Sequence, residues 1–247
     1  MSKTVIIVPC YNEEQRLDVM AFAPFLAGSE IHLLFIDDGS TDGTYTKLLQ
    51  AHQLKRDQVD VLRLTPNQGK AEAVRRGLLQ ALEQGCDVVG YFDADLSTPA
   101  EEMCRLVEVL RESSTSVVLG ARVRLLGYSI VRNPARHYLG RVFGTFASLA
   151  LGLSVYDTQC GAKLFRDTPA LRSALQRPFL SRWAFDVELI GRLMSPPAGV
   201  AALSAADFLE VPLRAWTHVP GSKLKAASMV RAALDLAAIA IRQGHRH

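Results

Sequence analysis

At 247 residues, with 49% hydrophobic and 21% charged side chains, the chain has the apolar content of a folded core and not that of a disordered segment. A formal net charge of +3 is too mild for the electrostatic footprint of a nucleic-acid binder, and no recognition motif for one is present. Four scattered cysteines (Cys10, Cys86, Cys104 and Cys160), without C-x-x-C or paired-histidine spacing, argue against zinc and a disulfide framework and fit reduced thiols.

The first strand is expected over Thr4-Val-Ile-Ile-Val-Pro9, so early that no signal peptide is expected. A polar loop, Cys10-Tyr-Asn-Glu-Glu, follows, with Asn12 as N-cap of a helix running to about Leu26. Ile31-His-Leu-Leu-Phe-Ile36 reads as the second strand, ending in Asp37-Asp38-Gly39-Ser40-Thr41-Asp42, where Gly39 permits a tight turn and Thr41 or Asp42 caps the next helix. Val59–Leu64 is the third strand, followed by Asn67-Gln-Gly-Lys70 and a helix with Ala71, Val74, Leu78, Leu79 and Leu82 on its apolar side. Asp87-Val-Val-Gly-Tyr-Phe92 is a short buried strand that runs into Asp93-Ala94-Asp95, and Ser97-Thr98-Pro99 opens another helix. Val117–Ala121 closes the alternation. Leu139 to Leu153 and Met229 to Ile241 are apolar but shorter than the roughly 20 residues of a membrane span, and read as buried or interfacial helices.

Alternating strands and helices imply an α/β fold with a largely parallel, doubly wound sheet, and three strands ending in acid-bearing turns should open on one edge of it. Neither G-x-G-x-x-G nor G-x-x-x-x-G-K-[ST] is present, so the edge lacks the dinucleotide fingerprint and Lys70 is not a P-loop lysine. An edge rich in carboxylates can hold phosphates through a divalent metal, and paired Asp93 and Asp95 suit a hard cation.

Val8-Pro9-Cys10-Tyr11-Asn12-Glu13, Ile36-Asp37-Asp38-Gly39-Ser40 and Asp93-Ala94-Asp95 together resemble the family 2 glycosyltransferases of the GT-A fold. Asp95-Leu-Ser-Thr-Pro99, Asp157-Thr-Gln-Cys-Gly161, Arg182-Trp-Ala-Phe-Asp-Val-Glu188 and Gly221-Ser-Lys-Leu224 are similar to the dolichyl-phosphate glucosyltransferase branch, alongside the dolichyl-phosphate mannose synthases. The resemblance covers nearly the whole chain in matching order. It implies one GT-A domain over residues 1–247, with a nucleotide-sugar-binding half (1–120) and an acceptor-binding half (121–247).

By that resemblance Pro9, Tyr11, Glu13 and Asp38 hold the nucleoside; a carboxylate suits a pyrimidine N–H and a tyrosine ring offers a stacking face. Asp93 and Asp95 hold Mg²⁺ or Mn²⁺ through the diphosphate, with Asp95 the more direct ligand. Lys70 is a candidate at the diphosphate or a solvated residue at a helix start, and Ser222 and Lys223 resemble a diphosphate-contacting loop. Trp183 and Asp186 are candidates for the sugar pocket; for Asp186 a charge at a helix N-terminus is the plainer alternative. Asp157 sits where related enzymes carry catalytic-loop acids and joins Asp93 and Asp95 among the catalytic candidates, with orienting the acceptor or supporting the loop as its alternative role, while the general base stays unassigned. A phosphate monoester, with a second pKa near 6, is mostly dianionic at neutral pH and attacks without one.

Between Glu112 and Asp157 there is no acidic residue, while Arg122, Arg124, Arg132, Arg136 and Arg141 fall inside that stretch beside Leu125, Leu126, Tyr128 and Ile130. This combination suits an anionic membrane surface or a lipid phosphate. The resemblance gives Arg122 and Arg136 the acceptor phosphate, which a guanidinium fork matches. The expected activity is inverting transfer of a hexose, glucose from UDP-glucose, to dolichyl or another polyprenyl phosphate. The expected setting is cytoplasmic, peripheral on the cytosolic face of a membrane, with or without a membrane-protein partner. A mannose synthase using GDP-mannose and a non-catalytic relative that binds nucleotide sugar or lipid remain alternatives.

Overall fold

The structure, a computed structural model, describes residues 3–28, 30–131, 134–182 and 184–219, and within 134–141 the backbone only. The chain runs β1 (Thr4–Cys10), a 3₁₀ helix (Val19–Leu26), β2 (Ile31–Asp38), α1 (Thr44–Leu54), β3 (Val59–Leu64), α2 (Lys70–Glu83), β4 (Val88–Phe92), α3 (Ala100–Glu112), β5 (Val117–Ala121), β6 (Ser129–Val131), α4 (Pro134–Leu151), β7 (Ala162–Arg166), α5 (Pro169–Leu175), α6 (Phe185–Met194), β8 (Phe208–Pro212) and β9 (Ala215–Thr217). Seven strands form one sheet in the order β3-β2-β1-β4-β7-β5-β8, and β6 pairs with β9 in a small second sheet. All neighbours in the large sheet are parallel except β7, which runs antiparallel to both β4 and β5.

The continuous apolar runs of β1, β4 and β5 are buried because helices cover both faces of the sheet. On one face α2, α5 and α6 pack around Ile7, Ile36, Val89 and Phe165. On the other, α3 and the 3₁₀ helix pack around Ile6, Val8, Phe35 and Phe92. In α2 the residues Ala71, Val74, Leu78 and Leu82 recur every three or four positions and are buried against the sheet, as the pattern predicts, while Leu79 is only partly covered.

The first helix differs from its sequence expectation. Asn12 adopts a left-handed φ of 51° and caps nothing; the helical segment starts at Val19 with Asp18 as N-cap, its carboxylate accepting from the Met20 N–H at 2.9 Å. Pro24, which has no N–H to donate, lies inside the segment and removes one of its backbone hydrogen bonds. Phe22 and Phe25 anchor it edge-on against Phe35 and Phe92.

Close approach of α2 to the sheet depends on Gly77. A Cβ there would lie 2.6 and 2.8 Å from Ile7 Cγ2 and Cγ1 and 3.1 Å from Ile36 Cδ1, and both isoleucines are fully buried. Alanine gains about 1 kcal/mol of helix propensity, whereas overpacking costs about 1–3 kcal/mol. Because the β-branched neighbours have few rotamers to yield, Gly77→Ala is expected to lose about 1–2 kcal/mol net in urea unfolding.

Candidate active site

β2, β1 and β4 are adjacent and parallel, so their C-terminal ends open on one edge and bring together the loops at residues 10–14, 37–43 and 93–97. The first two loops are laced to each other. The Asn12 N–H donates to Ser40 Oγ at 3.0 Å, Asn12 Oδ1 accepts from the Thr41 N–H at 2.9 Å, and the Glu13 N–H donates to Thr44 Oγ1 at 2.8 Å. Asn12 is therefore a loop tie, and its left-handed backbone is what turns it toward β2. Pro9 lies in β1 opposite Ile36, Tyr11 is 36% exposed, and Glu13 is ion-paired with Arg16 at 2.6 Å.

Asp38 is nearly covered, at 3% exposure, and organises the next loop. Its carboxylate accepts from the Gln68 N–H, the Gly69 N–H and Asn67 Nδ2, each at 2.8 Å. Burial pushes its carboxyl up, against the two amide bonds from Gln68 and Gly69. A nucleoside contact from Asp38 must be made in addition to these three bonds. They also fix the start of α2, where Gly69 at φ 94° presents Lys70 as the first helical residue.

The Lys70 ammonium reaches across the edge to Asp93 Oδ1 at 2.5 Å. Burial alone would pull this lysine down, but the charges of Asp93 and Asp186, the bond to Asp93 and the charge of Asp95 outweigh it and raise it. Asp93 follows β4; its N–H donates to the Gly161 carbonyl at 3.0 Å, and its carboxylate fills the space a side chain on Gly161 would need. Asp95 Oδ1 accepts from the Ser97 N–H at 3.0 Å across Leu96, whose φ is 52°.

A divalent cation fits this pair. Asp93 and Asp95 are both partly open to solvent, and Asp93 already carries a cationic group in the form of the Lys70 ammonium. Among the described residues there is no cluster of three or more His, Cys, Asp or Glu side chains suited to a metal. Among the described residues the edge thus offers two carboxylates, a donor set that suits a hard cation whose remaining positions are open to phosphates and water.

On the other side of β4, Arg122 leaves β5 and meets Asp157 in a fork: Nε donates to Oδ2 at 2.6 Å and Nη2 to Oδ1 at 2.8 Å. The backbone N–H of Arg122 donates to Oδ2 as well, at 3.1 Å. Glu210 of β8 holds the opposing loop by accepting from the Tyr156 and Asp157 N–H groups at 2.8 and 2.7 Å. The guanidinium also lies 5.5 Å from the Trp216 ring. Burial would pull Arg122 down, but Asp157 chiefly, with a smaller share from Asp93, holds it well above the ordinary arginine value. Asp157, counted among the catalytic candidates, has both oxygens engaged with Arg122.

Asp186 sits in the first turn of α6, 6% exposed, and pairs with Lys163 at 2.7 Å. Arg136 lies in α4, but its side chain falls outside the described residues, as do Trp183, Ser222 and Lys223 altogether. Sequence reasoning passed over Arg182, Lys163, Tyr91 and Glu210 as site residues. Arg182 Nε lies 3.4 Å from where a side chain on Gly69 would begin, so a second cation flanks the turn that presents Lys70. A lysine inside the apolar run Ala162–Arg166 was the one signal available for Lys163.

The family model described as "Glycosyl transferase family 2" matches residues 5–171. The dolichyl-phosphate β-glucosyltransferase of Drosophila melanogaster is 34% identical over 89% of this chain and 68% of its own length. The polyprenol monophosphomannose synthase of Mycolicibacterium smegmatis is 25% identical over 94% and 84%. Among solved structures, glucosyl-3-phosphoglycerate synthase from Mycobacterium tuberculosis in complex with Mn²⁺, UDP and glucosyl-3-phosphoglycerate superposes with a TM-score of 0.65, covering 97% of this chain and 80% of that one at 21% identity, a likeness of fold. With its carboxylate-lined, mostly parallel GT-A sheet, the chain belongs to glycosyl transferase family 2 and is related within it to the dolichyl-phosphate β-glucosyltransferases.

Proposed function

We propose that the chain transfers glucose from UDP-glucose to dolichyl or another polyprenyl phosphate, with inversion, at the surface of a membrane. The observation that carries this reading is the Arg122–Asp157 fork beside the Asp93/Asp95 edge. Two of the five guanidinium N–H donors are committed to Asp157, which leaves a rigid, permanently charged fork for phosphate oxygens next to the donor site. The donor class is supported by the glucosyltransferase relatives and by UDP in the superposed structure.

In this reading Asp93 and Asp95 hold Mg²⁺ or Mn²⁺ against the donor diphosphate, the ion named with that superposed structure being Mn²⁺. When bound, the metal supplies neutralisation of the charge that develops on the departing nucleoside diphosphate. Lys70 and Arg182 flank the same diphosphate, with Ser222 and Lys223 proposed to close over it. Pro9, Tyr11, Glu13 and Asp38 line the nucleoside side, and Trp183 and Asp186 the hexose. Arg122 and Arg136 hold the acceptor phosphate for attack at the anomeric carbon, and a dianionic phosphate needs no general base. Residues 1–120 carry the nucleoside and metal side of the donor site, with Lys70, and 121–247 the acceptor together with the hexose residues and Arg182, Ser222 and Lys223.

Membrane contact is supported by the outer face of α4. Val142, Phe146 and Leu149 recur at helical spacing and are 52, 61 and 74% exposed, and Leu126 in the preceding loop is fully exposed. No described helix is long and apolar enough to cross a membrane. With no acid between Glu112 and Asp157, this face matches an anionic leaflet, for which a cytosolic face is the proposed location, with or without a membrane-protein partner.

The test is transfer of radiolabelled sugar to a short polyprenyl phosphate, comparing UDP-glucose with GDP-mannose, with and without EDTA. GDP-mannose is the second reading, favoured by the mycobacterial mannose synthase relative. Product from UDP-glucose alone, lost with EDTA, supports the proposal; transfer to 3-phosphoglycerate in place of the lipid overturns the acceptor. Arg122→Lys keeps a charge beside Asp157 but removes the fork. Losing a charge-assisted hydrogen bond costs about 1.5–3 kcal/mol, or about 10–100-fold. KM for the lipid phosphate is expected to rise by that factor while UDP affinity stays unchanged.

A further inference from the structure

Lys163 is completely buried, in the middle of β7, with Tyr91 of β4 opposite it on one side and Leu119 of β5 on the other. An ammonium at the centre of a sheet costs several kcal/mol of lost hydration, and a buried ion pair is often replaceable by apolar residues without loss of stability. Stability alone therefore does not account for it. Its Nζ donates to Asp186 Oδ1 at 2.7 Å and to the Cys160 carbonyl at 2.5 Å, and lies 5.2 Å from the Tyr91 ring centre. The Tyr91 hydroxyl donates to the same Asp186 Oδ1. Two fixed donors thus converge on one oxygen of Asp186, while Oδ2 receives no hydrogen bond from any described residue.

Tyr91 stands two residues before Asp93 on β4, and Lys163 two residues after Gly161, whose carbonyl accepts from the Asp93 N–H, so the group adjoins Asp93 along the paired strands β4 and β7. The Tyr91 hydroxyl, bonded to a carboxylate oxygen, stands as a donor. A carboxylate oxygen left over in this way repels phosphate and accepts from hydroxyls. The ligand class it suits is a neutral polyol.

We propose that Lys163 and Tyr91 are positioning residues that pin one oxygen of Asp186 so that the other accepts a hydroxyl of the donor hexose, setting the sugar preference from below the cleft. This rests on the reading of Asp186 as sugar-facing. The group stands on β4, β7 and α6, whereas the Asp38 turn lies between β2 and α1 and is bonded to residues 67–69, so loss of the group bears on the sugar and not on UDP.

The test compares wild type, Tyr91→Phe, Lys163→Met and Asp186→Asn by calorimetric titration with UDP and with UDP-glucose in Mn²⁺, and by rates with UDP-glucose and UDP-galactose. If the wild type uses mannose instead, GDP, GDP-mannose and GDP-glucose replace them. Tyr91→Phe deletes one hydroxyl and carries the test even if Lys163→Met fails to fold. For Tyr91→Phe the expected result is UDP affinity within about twofold of wild type, UDP-glucose binding weakened about 5–10-fold, and the epimer preference in kcat/KM reduced about tenfold. A purely structural role would weaken UDP and UDP-glucose together, or neither, and either result overturns the proposal. Asp186→Asn separates the two levels. If it selectively weakens the nucleotide sugar while Tyr91→Phe does not, the positioning role fails alone. If it leaves UDP-glucose and UDP equally affected, the sugar-facing reading of Asp186 fails and the proposal falls with it.

Discussion

Asp95→Ala is expected to lower sugar transfer by about 10³-fold or more. Asp95 and Asp93 are the two carboxylates at the C-terminal end of β4, and no third acid, His or Cys joins them in a cluster among the described residues. With so few protein ligands, removing one takes away much of the site's hold on a divalent cation, whose charge neutralisation is worth several kcal/mol in a transition state, at about 1.4 kcal/mol per decade of rate. The alanine also removes the acceptor for the Ser97 N–H at 3.0 Å, in a turn that already holds Leu96 at a left-handed φ. That part costs about 1 kcal/mol of stability and is separable. Asp95→Asn keeps an oxygen for Ser97 but lacks the charge, so it should fold like the wild type and still lose transfer. Mn²⁺ binding in the presence of UDP, followed by electron paramagnetic resonance, should weaken in both variants. An asparagine variant that retained full transfer and Mn²⁺ affinity would remove Asp95 from the metal site.

The sheet was legible because its strands announce themselves in the sequence. Runs such as Val5–Val8 and Val88–Phe92 are apolar on both faces, and only a strand covered by helices on both sides buries such a run. Acids at the ends of three strands then marked the edge that is proposed to carry the chemistry. What the sequence did not reveal lies in pairings between distant residues. Arg122 and Asp157 are 35 positions apart, and only the antiparallel entry of β7 between β4 and β5 brings the loop at 157 to the end of β5. An antiparallel strand inserted among parallel ones has no periodicity of its own to betray it. Asn12 misled for a related reason. Asparagine serves equally as a helix cap and in the left-handed backbone, and only the ties to Ser40 and Thr41 distinguish the two. Asp38 reads from sequence as a ligand contact, yet its three bonds to residues 67–69 make it first the organiser of the turn that presents Lys70.

Gly161→Ala should reproduce most of the loss caused by removing Asp93 itself, without touching an acid. A Cβ built on Gly161 falls 2.0 Å from Asp93 Oδ2, 2.1 Å from Cγ and 2.6 Å from Oδ1, distances at which one group must leave. The backbone cannot yield, since the Asp93 N–H donates to the Gly161 carbonyl and the adjoining strands β4 and β7 are paired from Phe92 and Ala162 onward. Gly161 is not held in a conformation that excludes alanine, so the methyl is accommodated and the carboxylate is displaced. Because Asp93 keeps 36% of its side-chain surface exposed, it can swing into solvent at little cost. The stability change should therefore stay within about 1 kcal/mol, a shift in Tm of about 2–4 °C for a chain of this size. Function has no such escape. A misplacement of about 1 Å in a reacting array costs about 10²-fold, and displacing a carboxylate proposed to hold the metal should cost about 10²–10³-fold in kcat, with Mn²⁺ affinity in the presence of UDP falling with it. Near-wild-type Tm with transfer and Mn²⁺ binding both lost is the expected signature. A variant with normal transfer would mean that Asp93 does not act from the position it holds against Gly161.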